Sequence, residues 1–205
     1  MRIGVLALQG NVSEHVNATK KAASALGLEC NVIEVRTKRD LKGVIGLIIP
    51  GGESTTLQKL CEREGLFEEI EKVPNIFGTC AGAIMLAKKI HKKESDQRTL
   101  ELMDIEVDRN GYGRQVQSFE KNVETKFGKV RAFFIRAPRI KSIGKGVSII
   151  ANNNGETIAC QQIINDKTND KKFHFYLATC FHPELSTTKF HEEFLRVCSG
   201  AHLYC

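Results

Sequence analysis

Short apolar runs alternate with amphipathic stretches through the first half of the chain. Residues 2 to 8 are almost continuously apolar, and similar runs recur at Glu29 to Val35, Val44 to Ile49 and Asn75 to Thr79. Runs this short, apolar on successive positions, predict strands of a parallel sheet buried on both faces. Between them the period becomes helical. Asn11 and Glu14 have the spacing of a capping box for a helix on which Val12, Val16, Ala23 and Leu26 share one face, ending at Gly27. Pro50-Gly51-Gly52-Glu53-Ser54 closes the third strand and leads into a helix from about Thr55, and Ala83 to Ala87 continues the strand of Asn75 to Thr79 as a helical run. This βαβ rhythm implies helices on both faces of the sheet and functional loops beyond its carboxyl edge. Gly51-Gly52 and Cys80 then share that edge.

From about residue 99 the pattern shifts to β-branched and aromatic runs separated by turn signals: Asn110-Gly111, Gly144-Lys145-Gly146 and Asn152-Asn153-Asn154-Gly155. Hairpins and a mixed extension of the sheet are expected here. Phe173 to Thr179 reads as a strand delivering His182 to the active edge, and a last amphipathic helix near Ser186 to Cys198 buries Phe190, Phe194 and Val197. With 205 residues and no linker, repeat or low-complexity tract, the chain is read as a single domain spanning 1–205.

Two segments carry the candidate chemistry. Gly78-Thr79-Cys80-Ala81-Gly82 puts a cysteine where a strand gives way to a helix, the way a nucleophile is mounted on a sharp strand-to-helix turn. Small neighbours leave the sulfur uncrowded, and helix N-termini favour anionic sulfur. Phe181-His182-Pro183-Glu184-Leu185 supplies what such a nucleophile lacks, a proton shuttle and a carboxylate to orient it. Pro183 biases His182 toward extended backbone, so that His182 and Glu184 are expected to project from one side of the chain as i and i+2 do on a strand. Each piece alone has a plainer reading, the first as a packing turn and the second as a solvated turn. Together, in nucleophile-then-base order, they point to catalysis.

Composition narrows the field. The net charge of +6 comes from scattered lysine and arginine doublets, tryptophan is absent, and no basic-aromatic interleaving suggests stacked bases, so nucleic acid is not an expected partner. No apolar stretch approaches membrane-spanning length, and seven irregularly spaced cysteines fit a reducing interior, hence the cytoplasm. Cys198, His202 and Cys205 lack a fourth ligand and match no usual zinc spacing, so no metal is expected.

With these residues placed, the chain resembles the class I glutamine amidotransferases, whose triad is cysteine, histidine and glutamate in this order. Leu8-Gln9-Gly10, Pro50 to Thr56, Phe77 to Gly82, Arg109-Asn110, Gly113-Arg114-Gln115, Ser118-Phe119-Glu120, Phe134 to Pro138 and Phe181 to Leu185 look like the glutaminase-subunit family of the pyridoxal 5'-phosphate synthases. The resemblance covers nearly the whole chain; the polar segment Asn165 to Lys172 and the tail Gly200 to Cys205 are its departures. It implies a three-layer flavodoxin-like α/β fold with a mostly parallel central sheet and a mixed, antiparallel extension. It also implies hydrolysis of L-glutamine to L-glutamate and ammonia without a cofactor, the ammonia passing to a (β/α)8-barrel synthase subunit that builds the vitamin B6 cofactor.

Carried onto matching positions, the resemblance implies Cys80, His182 and Glu184 as catalytic residues, with the N–H groups of Gly52 and Ala81 as an oxyanion hole. It implies Glu53 against the substrate α-ammonium, Arg109 and Arg136 against the α-carboxylate, and hydrogen bonds from Ser54 and the Ile135 backbone. Glu53 could instead serve the end of its helix, and either arginine could be a structural ion pair or a partner contact. The Gly51-Gly52 peptide is expected to rotate its N–H into the oxyanion site when the synthase docks, with the Gln9-Gly10 turn transmitting contact. Other readings are a peptidase or amidase of related fold, or a non-catalytic module with Cys80 as a redox sensor.

Overall fold

The computed structural model describes residues 1–91, 96–109, 111, 118–165 and 173–200. Asn110, Gly113-Arg114-Gln115, most of the Asn165 to Lys172 segment, His202 and Cys205 therefore lie outside the described residues. In chain order the elements are β1 (Arg2–Leu6), α1 (Val12–Ala25), β2 (Asn31–Val35), β3 (Gly46–Ile49), α2 (Ser54–Arg63), α3 (Phe67–Ile70), β4 (Asn75–Thr79), α4 (Ala81–Leu86) and β5 (Ala87–His91). There follow β6 (Met103–Asp108), β7 (Ser118–Val123), β8 (Val130–Ile135), β9 (Arg139–Ile143), β10 (Val147–Asn153), β11 (Glu156–Asn165), β12 (Phe173–Thr179), a 3-10 turn (Pro183–Leu185) and α5 (Lys189–Cys198).

The central sheet has the order β10-β11-β12-β4-β3-β1-β2. From β2 to β12 neighbouring strands are parallel, and β11 and β10 add the antiparallel extension. A hairpin turn with Asn154 and Gly155 at positive φ joins β10 to β11, as its Asn-Gly pair demands. Smaller sheets, β5-β6-β9 and the β7-β8 hairpin, complete the strands.

Strand β4 shows how the layers form. All five of its residues are buried. Phe77 meets His191 and Phe194 of α5 edge-on and tilted, and Thr79 meets His15 of α1, so odd positions face α1 and α5. Gly78, pointing the other way, backs directly onto Gly82 at the start of α4. Helices thus cover both faces, the condition under which a parallel strand is apolar throughout.

Four local expectations are corrected. Asn11 precedes α1, but its side chain makes no capping bond to the helix. The face α1 buries is His15, Ala18, Thr19, Ala22 and Ala23, with Val12, Val16 and Leu26 only partly covered; small residues let this helix approach its neighbours closely. The helical run after Cys80 ends at Leu86, and Ala87 already opens β5. His182 and Glu184 are not on a strand, because Pro183 starts a 3-10 turn and α5 begins only at Lys189. Proline's fixed φ and missing N–H suit the first position of such a turn.

Candidate active site

Strand register brings the two candidate segments together. Thr79 at the end of β4 lies opposite Thr179 at the end of β12, and the Cys80 N–H donates to the Thr179 carbonyl at 2.8 Å. The chain leaves β12 through Cys180 and Phe181, and the His182 N–H donates to the Phe133 carbonyl of β8 at 2.9 Å. Cys80 and His182 thus emerge side by side at the carboxyl edge.

The backbone at Cys80 is strained, with φ +50° and ψ −103°. A non-glycine residue holds such a conformation only when its surroundings over-determine it. Two glycines do so here: a Cβ on Gly78 would run into the Gly82 backbone, and a Cβ on Gly82 would run into the Ile49 carbonyl. The turn is therefore packed tightly enough to hold the sulfur over the sheet edge, at the first turn of α4. Cys80 Sγ lies 3.7 Å from the Ile135 carbonyl oxygen, to which a thiol donates.

His182 Nδ1 lies 2.7 Å from Glu184 Oε1, and the 3-10 turn is what folds the carboxylate back onto the ring. Cys80 lines the same cleft as this imidazole, and Nε2 is the ring nitrogen that Glu184 leaves free to face it. Burial works against a charged His182, but the hydrogen bonds and charges of Cys80 and Glu184 outweigh it and raise its pKa well above the ordinary histidine range. Burial likewise works against the Glu184 carboxylate, and the His182 hydrogen bond with the nearby histidines brings its pKa down to about 2.

A cleft of about 280 Å³ opens beside Cys80 and His182. Gly52, Glu53, Ser54, Arg109, Ile135 and Arg136 all line it, as do Gly51 and Gly10 of the two loops expected at this edge; so too do Asn11 and Ile84, for which the sequence suggested no place in the site. Ala81, the second oxyanion candidate, begins α4 directly after the nucleophile.

Within the cleft, Glu53 and Arg109 are paired with each other, Nη2 to Oε1 at 2.5 Å. Glu53 also caps α2, accepting from the Thr55 and Thr56 N–H groups at 3.3 and 2.7 Å and from the Thr55 hydroxyl at 2.6 Å. Burial raises its pKa, but the hydrogen bonds from Thr55 and Thr56 prevail and lower it to about 2. Arg109 donates further to Gln97 Oε1 at 3.2 Å, and Gln97 donates to the Ser54 hydroxyl at 2.9 Å. Gln97 had no signal of its own in the sequence, since its loop shows no periodicity.

Asn11 serves the site and not the helix end. Its Nδ2 donates to Glu184 Oε1 at 3.1 Å, and one turn further along α1 His15 Nε2 stands 3.4 Å from Glu184 Oε2. The available sign was a histidine and a threonine on the same helical face as Ala18 and Ala22. Among the described residues no cluster of histidine, cysteine and carboxylate side chains could hold a metal ion.

The chain matches the model of the SNO glutamine amidotransferase family over residues 5–200. It is 45% identical to the pyridoxal 5'-phosphate synthase subunit PdxT of Korarchaeum cryptofilum, with 96% of this chain and 98% of that protein covered. The PdxT subunit of Desulforamulus reducens is 46% identical, covering 96% of this chain and 99% of its own. A crystal structure described as a glutamine amidotransferase superposes with a TM-score of 0.79 at 39% identity, over 96% of this chain and 98% of that one. A putative GMP synthase component from Thermoplasma acidophilum shares the fold alone, at a TM-score of 0.57 and 16% identity over 98% of this chain and 96% of its own. On its sequence and on its fold, the chain belongs to the SNO glutamine amidotransferase family.

Proposed function

We propose that this chain is the glutaminase subunit of a pyridoxal 5'-phosphate synthase, hydrolysing L-glutamine to L-glutamate and ammonia for a separate synthase subunit. The observation that carries the reading is the line Cys80, His182, Glu184, closed by the 2.7 Å bond between the last two and facing a cleft with charges of both signs. The full-length likeness to proteins named as PdxT subunits supports the same assignment.

In this reading the Cys80 sulfur attacks the side-chain amide carbon of glutamine. The oxyanion is met by the Ala81 N–H at the start of α4 and by the Gly52 N–H. His182, protonated at neutral pH by virtue of its raised pKa, gives its proton to the departing ammonia. The imidazole then takes a proton from water, which opens the thioester and releases glutamate, while Glu184 keeps the ring in one orientation. Glu53 reads the α-ammonium, Arg109 and Arg136 the α-carboxylate, and Ser54 and the Ile135 backbone add hydrogen bonds. The Glu53–Arg109 pair means that glutamine enters between two charges already aligned, so each is orientated before substrate arrives. The chain acts as one domain in the cytoplasm, and six free thiols among its described cysteines suit a reducing compartment.

The synthase partner, a (β/α)8 barrel, docks on the sheet edge that bears Cys80 and His182 and takes up ammonia before water protonates it. Gly51-Gly52 is the gate. Gly52 has φ +147°, open to glycine only, and the Gly51 and Gly10 backbones pack so closely that a Cβ on Gly10 would strike the Gly51 carbonyl. Gln9 Nε2 also donates to the Glu53 carbonyl at 2.5 Å, linking the first loop to this one.

Glutamate release by the purified chain, with and without the barrel subunit, tests the proposal. Turnover is expected to rise on adding the partner and to vanish in Cys80→Ala; activity surviving that substitution, or directed at asparagine or short peptides, would refute the assignment. Equal rates with and without the barrel would refute the gate.

A further inference from the structure

On the side of Glu184 away from His182 lies a run of buried polar side chains for which the reaction described above has no task. His15 on α1, Thr79 on β4 and His191 on α5 are all fully buried. His15 Nε2 is 3.1 Å from Thr79 Oγ1 and 3.4 Å from Glu184 Oε2, and His15 Nδ1 is 3.0 Å from His191 Nε2.

Hydrogen-bond accounting assigns the protons. The Thr79 hydroxyl lies 3.1 Å from His15 Nε2, and the matching hydroxyl of Thr179, on the neighbouring strand, donates to the Phe181 carbonyl at 2.9 Å. Glu184 Oε2 has no hydrogen-bond partner, His15 Nε2 stands 3.4 Å from it, and an ionised carboxylate can only accept, so a favourable contact between the two needs the proton on that nitrogen. His15 therefore carries its proton on Nε2, between the Thr79 oxygen at 3.1 Å and Glu184 at 3.4 Å. Its Nδ1 is then a lone pair and accepts the Nε2–H of His191, whose own Nδ1 finds no hydrogen-bond partner among the described residues, as suits an unprotonated nitrogen.

We propose that His15 is a positioning residue of the triad: its Nε2–H, held in place by Thr79 and by His191 behind it, fixes the rotation of Glu184 that presents Oε1 to His182. Asn11, one turn earlier, steadies Oε1 itself, so Asn11 holds one carboxylate oxygen and His15 faces the other. The choice of imidazole has a physical reason. A lysine or arginine here would neutralise Glu184 and weaken its hold on the imidazolium, whereas a neutral N–H orients the carboxylate and leaves its charge for His182. Burial keeps the ring neutral, lowering the pKa of His15 to about 4 and that of His191 to about 3. The titratable groups facing His15 are Glu184 and His182 at the triad, Glu14 on its own helix and His191 on α5.

The inference rests on the glutaminase reading, and the experiment separates the two. Glutamate release is measured with the synthase subunit present for the wild-type chain, His15→Leu and His15→Gln, alongside thermal melting. His15→Leu is expected to lower kcat about ten- to a hundred-fold through a misplaced carboxylate, to leave the KM for glutamine within about twofold, and to move the alkaline limb of the pH profile to lower pH. His15→Gln, whose amide N–H can reach the same oxygen, is expected to recover most of the rate. A folded His15→Leu with wild-type kcat and pH profile, or a His15→Gln no better than His15→Leu, overturns the inference. Should His15→Leu fail to fold, 15N NMR of the wild-type protein decides: His15 must be neutral with its proton on Nε2 from about pH 6 to 9, and a proton on Nδ1 or a charged ring overturns it. A wild-type complex that releases no glutamate would sink the glutaminase reading instead.

Discussion

Glu53 is asked to do two things with one carboxylate. It begins α2 by accepting the Thr55 and Thr56 N–H groups, and it faces Arg109 across the cleft. The two duties draw on different properties, since a cap needs an acceptor oxygen whereas an ion pair needs the charge. Glu53→Gln keeps the first and removes the second. Losing a charge-assisted contact of about 1.5–3 kcal/mol predicts a KM for glutamine raised roughly ten- to a hundred-fold, with a melting temperature close to wild type. Steady-state kinetics and a thermal scan check this together; an unchanged KM would mean that the carboxylate serves the helix end alone. Asn11 poses the same competition and resolves it the other way. Its amide abandons the helix for Glu184, and the lost cap is tolerated because α1 is held by its packed face.

The elbow between β4 and α4 depends on closeness of backbone to backbone. Six buried residues make α4, too short to be stable by itself, and what holds it is contact with β4, β12 and β3 of the sheet and with α2 beside it. Gly82 is the point of closest approach, its missing Cβ leaving room for the Ile49 carbonyl. Because the obstacle is main chain, it cannot rotate away as a side chain would. Gly82→Ala is therefore expected to destabilise the fold by about 1–3 kcal/mol, read as a lower urea midpoint, and to cost activity beyond the unfolded fraction because Cys80 rides on the displaced turn. A variant with unaltered midpoint and rate would show that the helix moves freely on the sheet.

The molecule as a whole carries two buried neutral histidines and, in Glu184, a strongly acidic buried carboxylate, which gives its stability a pH signature. On unfolding, His15 and His191 regain the ordinary histidine pKa near 6.5. Below that pH the unfolded chain binds more protons, so stability falls as pH drops toward 4. His15 alone, lowered to about 4, is worth roughly 3 kcal/mol over this interval. Glu184, with its pKa lowered to about 2, adds a further loss once pH falls below the usual carboxylate range. His182 has the opposite sign, its raised pKa contributing fully below about 6.5 and less as pH climbs. Urea titrations should show a maximum near neutrality, a falling acid limb between about pH 6.5 and 4, and a shallower limb for His15→Gln. An acid limb of wild-type slope in that variant would assign the loss elsewhere.

Much of this was legible in the chain because it is local. Apolar runs bounded by turns mark the strands of the parallel sheet, the Gly-x-Cys-x-Gly string marks the elbow, and His182 and Glu184 stand two residues apart, so the parts of the candidate site that the fold brings together could be named before the fold was known. Even there the backbone between His182 and Glu184 departs from the extended form expected, since extended and 3-10 geometries both suit a residue pair around proline, and only packing chooses. What lay out of reach was the pairing of polar groups across the chain: Glu53 with Arg109, Asn11 and His15 with Glu184, His15 with His191. A side chain able to cap a helix, bind a substrate or brace a carboxylate does whichever the nearest unsatisfied partner in a buried space rewards. That partner is brought near by strand order and helix packing, long-range consequences of burying the whole apolar pattern at once, and so the tertiary structure alone could select it.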